Sequence, residues 1–271
     1  MVGSEEIKNI RDRNYRRIPK FFVRTEDEAV EFIDEIGFCF LFPQKYEMPS
    51  LWGAMCDYPY PAADCGWDDP IVNLIWGDGK TIFGWRDTLP KSKRVFFGKA
   101  IAQKPSFISL KYLPYFYACC SVPDYIQEYK DGKMSHLAKK IYEFLLGEGP
   151  TPTGNLRKSV GMSGKQNKYR FEQAMVGLQS KFLVAKVDAV PGFCVDVWDV
   201  MERWMPAAIK ESTHIGRKEA MKEILAKYMK TVVTAQSQEI IRLFGWDKDE
   251  VDGVMNQLID VSSKNKVETN G

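Results

Sequence analysis

The chain has 271 residues, of which 45% are hydrophobic, 13% aromatic and 27% charged. This composition is typical of a globular protein and excludes a fully disordered or fibrous chain. The 38 Lys and Arg residues nearly balance the 36 Asp and Glu residues, so the net charge of +2 excludes a wholly polybasic protein but permits local basic patches. No apolar run approaches the ~20 residues of a membrane span, and no secretory signal is visible. We therefore expect a cytoplasmic protein that does not enter a membrane.

The cysteines and histidines give little support to a metal site. Six cysteines lie at positions 39, 56, 65, 119, 120 and 194 without CxxC spacing, and the histidines are His136 and His214 alone. A structural zinc ion needs clustered Cys and His ligands. We expect no metal and no cofactor, and free thiols in a reducing compartment.

Charge is unevenly distributed along the first 70 residues. Residues 8–24 contain seven basic residues against Asp12, whereas residues 26–69 contain eleven acidic residues against Lys45. One interpretation is that the basic and acidic segments pair with each other, since most surface charge is structural. The other is that Arg13, Arg16 and Arg17 contact DNA.

The N-terminal part, residues 1–125, is predicted to be an α/β module rich in aromatic residues. Apolar residues between Thr25 and Ile36 have helical spacing, and Gly37 ends that helix. The apolar run Phe38–Phe42 then predicts a short buried strand. From Pro43 to Pro123 the composition predicts an irregular arrangement with short helices. Within it, Gly77-Asp78-Gly79-Lys80 lacks phosphate-loop spacing and favours a hairpin turn.

The C-terminal half contains a repeat. The apolar positions of one helical face recur 84 residues later, and after a glycine the offset falls to 80. The pairs at +84 are Leu137, Ile141, Phe144 and Leu145 with Met221, Leu225, Tyr228 and Met229. The pairs at +80 are Phe171, Ala174, Met175 and Leu178 with Val251, Val254, Met255 and Leu258. A constant offset across successive helices favours duplication over two unrelated amphipathic sets.

Each repeat predicts a helix, a short helix, a glycine turn and a longer helix. Capping boxes are predicted at Ser163 with Gln166 and at Asp247 with Glu250. In the first repeat, the β-rich runs 182–187 and 193–198 follow, joined by a turn near Gly192. Three helices and a two-stranded hairpin predict a winged helix over 133–200, followed by a second helix-turn-helix module over 201–271 with a frayed tail. The expected fold class is mainly α with small β hairpins, in tandem winged-helix and helix-turn-helix modules.

The first repeat carries the residues expected of a DNA-reading surface. In a winged helix the third helix enters the major groove, and phosphate contact requires Lys and Arg. The predicted contacts with double-stranded DNA are Arg157, Lys158, Lys165, Lys168, Arg170 and Gln173. The second repeat instead opens its third helix with Asp249, Glu250 and Asp252, which would repel phosphates. The alternative interpretation of the first repeat is a solvated basic face.

The sequence resembles the AlkZ/YcaQ-type winged-helix DNA glycosylases, which unhook interstrand crosslinks, and in particular their shorter AlkZ-related relatives. The similarity is carried by both helix-turn-helix units and by short segments spread over most of the chain. These segments are Glu35-Ile36-Gly37-Phe38, Pro49-Ser50-Leu51-Trp52, Trp85-Arg86-Asp87 with Leu89, and Val95-Phe96-Phe97-Gly98-Lys99. The resemblance implies tandem winged helices that bind damaged DNA.

The catalytic residues of that family are missing at the matching positions. The resemblance implies a Gln-x-Gln or Gln-x-Asp signature where this chain has Phe38–Phe42, and an aromatic-x-His-Glu-Ala motif where it has Phe97-Gly98-Lys99-Ala100. Phenylalanine cannot orient or activate water. Gln236-Ser237-Gln238 spells the first signature in a different module, which we interpret as chance.

We therefore expect a DNA-binding protein without glycosylase activity. Two alternatives stay open. The first is a glycosylase for alkylated or crosslinked bases in which a substituted acid, Asp87 or Glu47, orients the water. The second, weaker alternative is a protein-interaction module.

Overall fold

The computed structural model describes residues 3–56, 82–191 and 195–268, with side chains up to residue 258. Its helices and strands fall into three successive units that follow a first helix, α1 (Ser4–Asn14). The N-terminal unit contains α2 (Glu26–Ile36), β1 (Phe38–Phe40), α3 (Leu51–Met55), α4 (Ile82–Lys91), β2 (Val95–Ile101) and β3 (Lys104–Ser109). Helices α5 (Leu113–Cys120) and α6 (Tyr125–Lys130) connect it to the next unit.

The middle unit contains α7 (His136–Glu148), β4 (Thr151–Pro152), α8 (Thr153–Ser159), α9 (Lys168–Ser180), β5 (Val184–Val190) and β6 (Val195–Val200). The short helices α10 (Met201–Trp204) and α11 (Pro206–Ser212) lead into the C-terminal unit. That unit contains α12 (Arg217–Val232), α13 (Ser237–Phe244) and α14 (Lys248–Glu268). The expected fold class, mainly α with small β hairpins, is confirmed.

The helix between Thr25 and Gly37 is found as the sequence predicts, but the strand that follows ends at Phe40 rather than Phe42. Thr25 caps α2: its side chain accepts a hydrogen bond from the backbone N–H of Glu28, and the Glu28 carboxylate accepts one from the backbone N–H of Thr25. Gly37 ends the helix at a φ of +84°, a conformation that an L side chain rarely adopts. β1 then lies fully buried.

The N-terminal unit contains a hairpin where the composition predicts irregular structure. β2 and β3 pair in antiparallel fashion through a turn at Ala102 and Gln103, both at positive φ. Such turns usually carry Asn or Gly, and their absence hid the hairpin from sequence analysis. The predicted turn at Gly77-Asp78-Gly79-Lys80 lies outside the described residues.

The N-terminal and middle units share one arrangement of described elements. Each has a helix, a short strand, two further helices and a hairpin, and each sheet is antiparallel with its first strand beside its last. The strand orders are β1-β3-β2 and β4-β6-β5. Phe107 of β3 lies between Cys39 and Phe97, and Trp198 of β6 lies between Thr151 and Lys186. This similarity was not predicted from the sequence.

The second and third helices of the middle and C-terminal units begin where the repeat predicts, whereas the first helices, α7 and α12, start 81 rather than 84 residues apart. α8 and α13 start 84 residues apart, and α9 and α14 start 80 residues apart. The glycines between them, Gly161 and Gly245, both have positive φ, at +76° and +69°. A glycine in this conformation lets the chain reverse direction sharply between two helices. The module boundaries at 133, 200 and 201 remain predictions.

Some predicted details differ in the structure. Ser163 does not cap α9, because a 3₁₀ turn over Lys165–Asn167 intervenes and the helix starts at Lys168. Asp247 does cap α14: its carboxylate accepts the backbone N–H of Asp249 at 2.8 Å. Helix α14 extends to Glu268, through most of the tail predicted to be frayed. Strand β6 begins at Val195, and the predicted turn at Gly192 lies outside the described residues.

The buried apolar residues form three clusters, two within single units and one between units. One lies within the N-terminal unit around Phe32, Trp52 and Trp85. A second lies within the middle unit, around Ile141 and Leu156 among others. The third joins the N-terminal sheet to the C-terminal helices, for example Phe38 and Phe116 to Tyr228 and Phe244.

Candidate nucleic-acid interface

The start of α9 is an exposed basic surface, which we call the α9 basic face: Lys158, Lys165, Lys168, Arg170 and Gln173, all exposed. Lys168 faces Glu172 one turn along the helix at 3.7 Å. In the described part of the chain, no carboxylate forms an ion pair with Lys158, Lys165 or Arg170. Cations without acidic neighbours keep their charge available for phosphates.

Arg157, the remaining predicted contact in this unit, is half-buried. Its guanidinium donates to the backbone carbonyl of Gly164 at 2.6 Å and lies 5.8 Å from the centre of the Phe171 ring. Arg157 therefore fixes the turn that leads into α9 as well as adding charge beside it.

Tyr169 also belongs to this surface and was missed by sequence analysis. Its side chain is 70% exposed, the largest exposure among the large apolar side chains described. Aromatic rings exposed among cations are suited to stack on nucleic-acid bases. The signal in the sequence that could have indicated Tyr169 was its position between Lys168 and Arg170.

The N-terminal arginines are placed differently. Arg16 forms an ion pair with Glu35 at 2.8 Å, and Arg17 lies 3.8 Å from Asp12. Arg13 lines a separate 580 Å³ cavity together with Lys230 and other residues of α1, α2 and α12. The Arg16 contact favours the interpretation in which the basic and acidic segments pair with each other, whereas Arg17 contacts Asp12 within the basic segment itself.

Glu47, one of the two candidate catalytic acids, sits at a structural junction. Its carboxylate accepts hydrogen bonds from the Tyr15 hydroxyl at 2.8 Å and from Arg11 at 2.9 Å. Its backbone carbonyl accepts the hydroxyl of Tyr228 at 2.8 Å. Burial, and next the charge of Glu47, raise the pKa of Tyr15, which keeps this hydroxyl a donor. Glu47 thus connects α1 to α12.

Asp87, the other candidate acid, belongs to a cluster of charges between the N-terminal and middle units. Lys186 of β5 is fully buried and contacts the Asp87 carboxylate of α4. Its ammonium also lies 2.7 Å from the carboxylate of Asp196 in β6. Arg86 donates to Asp87 at 2.8 Å and approaches Asp196 at 3.6 Å. Two cations and two carboxylates thereby neutralise one another.

A cleft of 420 Å³ opens beside this cluster, between the two units. We call it the inter-unit cleft. Its walls combine aromatic rings with the cations of both units, and Lys168 and Arg157 belong to the cleft as well as to the helix start. The aromatic residues that line it are Phe42, Phe83, Phe97, Phe171 and Trp198.

The segments that carry the resemblance at the catalytic positions meet in this cleft. Leu41 and Phe42 line it from the end of β1, and Phe97 and Lys99 line it from β2. The predicted signature segment therefore lies at the cleft wall but presents apolar side chains there. Sequence analysis predicted neither this proximity nor the cleft.

Three side chains in the cleft wall could in principle orient water: Glu172, Gln179 and Asp196. The Gln179 amide is already engaged, donating to the Met175 carbonyl at 3.1 Å and accepting the backbone N–H of Lys99 at 3.0 Å. Asp196 lies against Lys186, with its side chain 29% exposed. Asp196 was missed because its sequence neighbours indicate only a strand.

Gln236 and Gln238 lie elsewhere, at the start of α13. Gln236 is its N-cap residue, and both side chains are exposed. Neither residue lines the inter-unit cleft.

The thiol of Cys39 is not a reactive group. Cys39 is fully buried, and burial raises its pKa far above the ordinary thiol range. Cys194 lies outside the described residues. Over residues 3–56, 82–191 and 195–268, no group of three His, Cys, Asp or Glu side chains is arranged to hold a metal ion. Over the same ranges, no helix has the length and apolar character needed to cross a membrane.

Comparison with known families identifies the wider relationship. The model of the family described as AlkZ related matches residues 23–245, from just before α2 to the glycine after α13. The chain belongs to the AlkZ-related family. Comparisons with curated proteins and with solved structures gave no match. Membership relates this AlkZ-related protein to glycosylases of DNA repair.

Proposed function

We propose that this AlkZ-related protein binds double-stranded DNA through its middle unit, in the manner of a winged helix, and does not excise bases. The observation that carries the proposal is the α9 basic face. Lys165 and Arg170 are exposed without a carboxylate partner in the described chain, at the start of the helix that a winged helix places in the major groove. Hairpin β5–β6 would then meet the DNA backbone.

The C-terminal unit supplies an internal contrast. At the positions equivalent to Lys168, Tyr169 and Glu172, it carries Lys248, Asp249 and Asp252 on α14. Acidic side chains at a groove-reading helix would repel phosphates. The repeat thus favours DNA contact through α9 and a packing or partner-binding role for α14.

The contents of the inter-unit cleft support the absence of excision. Hydrolytic excision needs a side chain that orients or deprotonates a water beside the sugar. The β1 end contributes only Leu41 and Phe42 to the cleft. Asp87 and Asp196 are both held by Lys186 and Arg86, which occupy the carboxylates. Glu172, the other carboxylate in the cleft wall, faces Lys168 at 3.7 Å.

A salt-dependent titration with duplex DNA tests the binding. Changing Lys165, Lys168 and Arg170 together to Ala should weaken nonspecific affinity and lower the slope of log affinity against log salt by about two to three. A triple change to Ala on the C-terminal helix α14, at Lys248, Asp249 and Asp252, should do neither. Equal losses from both variants would assign DNA contact to the wrong unit, and no affinity in the unmodified chain would favour a protein-interaction module.

A glycosylase remains the second candidate because Asp196 lines a cleft beside the α9 basic face. The assay is release of abasic sites from alkylated or crosslinked duplex at enzyme excess over hours, and we expect none. Activity that Asp196→Asn removes, with duplex affinity retained, would establish this candidate. Activity lost instead in a Gln236→Ala, Gln238→Ala double variant with an intact fold would show that the signature on α13 is functional.

A further inference from the structure

A second concave surface lies on the middle unit, between the start of α7 and one face of α9. This α7–α9 groove has a volume of 590 Å³. On α9 its wall follows the spacing of one helical face, through Arg170, Gln173, Gly177 and Lys181. Lys181, the residue after the end of α9, follows Arg170 by eleven positions, so the groove runs for about 16 Å, or three helical turns.

The rim of the groove is basic. Lys133, Lys140, Arg170 and Lys181 line it, and no Asp or Glu is among its lining residues. Lys133 and Lys181 contact Asp131 and Glu128, whereas Lys140 and Arg170 have no carboxylate partner in the described chain. The groove therefore presents positive charge to whatever enters it.

The floor of the groove is apolar and formed by aliphatic and thioether groups. Leu137 and Met162 are its partly exposed members, and the buried side chains of Met134 and Leu178 lie beneath them. Met side chains adapt to irregular apolar partners. A groove for single-stranded nucleic acid would need several stacking rings, and Tyr169 at the rim is the one Phe, Tyr or Trp among the lining residues.

Gly177 lines the groove without a side chain. It lies inside α9, where glycine is less favourable than alanine by roughly 0.5–1 kcal/mol. A Cβ placed on Gly177 would meet nothing within 4 Å, so packing within the chain does not require a glycine there. Any larger side chain at this position would project into the groove.

We propose that the α7–α9 groove docks an acidic amphipathic helix of a protein partner. Its apolar side chains, spaced at i, i+3, i+4 and i+7, would lie on the methionine and leucine floor. Its acidic residues would face Lys140 and Arg170. This function goes beyond DNA binding, and the two surfaces share Arg170.

Fluorescence anisotropy on the full chain tests the proposal with a designed peptide of about 14 residues, carrying Leu at those spacings and Glu and Ala elsewhere. We expect saturable binding that weakens as salt is raised. Gly177→Glu should lower the affinity by about tenfold or more, because it fills the groove with a negative charge. Gly177→Leu, which fills the groove without charge, should also weaken binding.

Gly147→Glu is the matched control, since Gly147 lies in α7 outside the groove and also has open space around its Cβ. It should leave peptide affinity unchanged. Absence of binding, equal binding of a scrambled peptide, or equal losses in the Gly177 and Gly147 variants would each overturn the proposal. The proposal would also be overturned if a labelled oligo(dT) bound the chain and Gly177→Glu abolished that binding, while the acidic peptide did not bind.

Discussion

The last helices of the N-terminal and middle units occupy equivalent places in the same order of elements, but their surroundings are opposite. Helix α4 carries Asp87 into a buried charge cluster with Lys186 of β5, so its outer side is covered by the middle unit. Helix α9 leaves Lys165 and Arg170 exposed. A shared topology therefore does not assign DNA contact, and exposure and charge distinguish the two helices.

The C-terminal unit extends the comparison. Its last helix, α14, is attached to α12 through the exposed pair of Arg217 and Glu250, at 2.9 Å. Helix α4 thus contacts a buried cation, α9 leaves its cations exposed, and α14 contacts α12 through an exposed ion pair. These differences predict a graded series of effects on stability.

The largest effect is expected at Lys186. Lys186→Met removes a fully buried cation and leaves Asp87 and Asp196 close together at the unit interface. Breaking a buried ion pair by removing one partner typically costs about 3–5 kcal/mol. Because the two carboxylates are partly exposed, we expect the lower end, about 3 kcal/mol, in urea unfolding.

Two variants complete that test. Lys91→Ala removes an exposed partner of Asp188 at the same interface, 3.1 Å away, and should cost at most about 1 kcal/mol. Adding Asp196→Asn to Lys186→Met should restore part of the lost stability, because Arg86 and Asp87, which lie 2.8 Å apart, then remain as a balanced ion pair. If Lys186→Met unfolds at the same urea concentration as the unmodified chain, α4 is not held as we describe.

The glycine turns predict the next effect. Gly161 and Gly245 have positive φ and open space around the position of a Cβ, so Ala at either site adds backbone strain without a clash. Each change should lower the free energy of unfolding by about 1 kcal/mol. The two losses should be similar if the middle and C-terminal units use the same turn.

Gly147→Ala should have the opposite sign, because Gly147 lies within α7 at an ordinary helical conformation. Ala in a helix interior is favoured over Gly by about 0.5–1 kcal/mol. Thermal unfolding of the three variants measures all of these changes. A cost at Gly161 without one at Gly245 would break the equivalence of the two turns.

The sequence predicted the helices of the repeat because periodicity and glycine turns are local signals. Thr25, Gly37 and Gly161 all act within one or two turns of the chain. The hairpin of the N-terminal unit escaped prediction because Ala102 and Gln103 are not residues that favour its turn.

The inter-unit cleft could not be predicted for a different reason. It forms where segments more than fifty residues apart meet, from Phe42 and Phe97 to Trp198. Single-sequence patterns contain no information on which loops face one another. The role of Asp196 depends on that meeting, whereas the exposed cations of α9 were predicted because their helix and its buried face are encoded locally.

The smallest effect is expected at the C-terminal unit, where Glu250 contacts Arg217. The hydrogen bond from Arg217 lowers the pKa of Glu250 below its ordinary value. In the folded chain Glu250 therefore stays charged at a pH where the unfolded chain already binds a proton. The contribution of Glu250 to stability is present above the unfolded pKa of about 4.3 and is lost as the pH falls through the folded value.

Both side chains of this ion pair are more than a third exposed, at 45% for Arg217 and 40% for Glu250, so solvent screens the pair. Glu250→Gln should thus cost below about 1 kcal/mol at neutral pH, and the difference from the unmodified chain should shrink towards zero as the solution is acidified. A difference that persists or grows in acid would mean that Glu250 holds α14 through its shape or packing rather than through its charge.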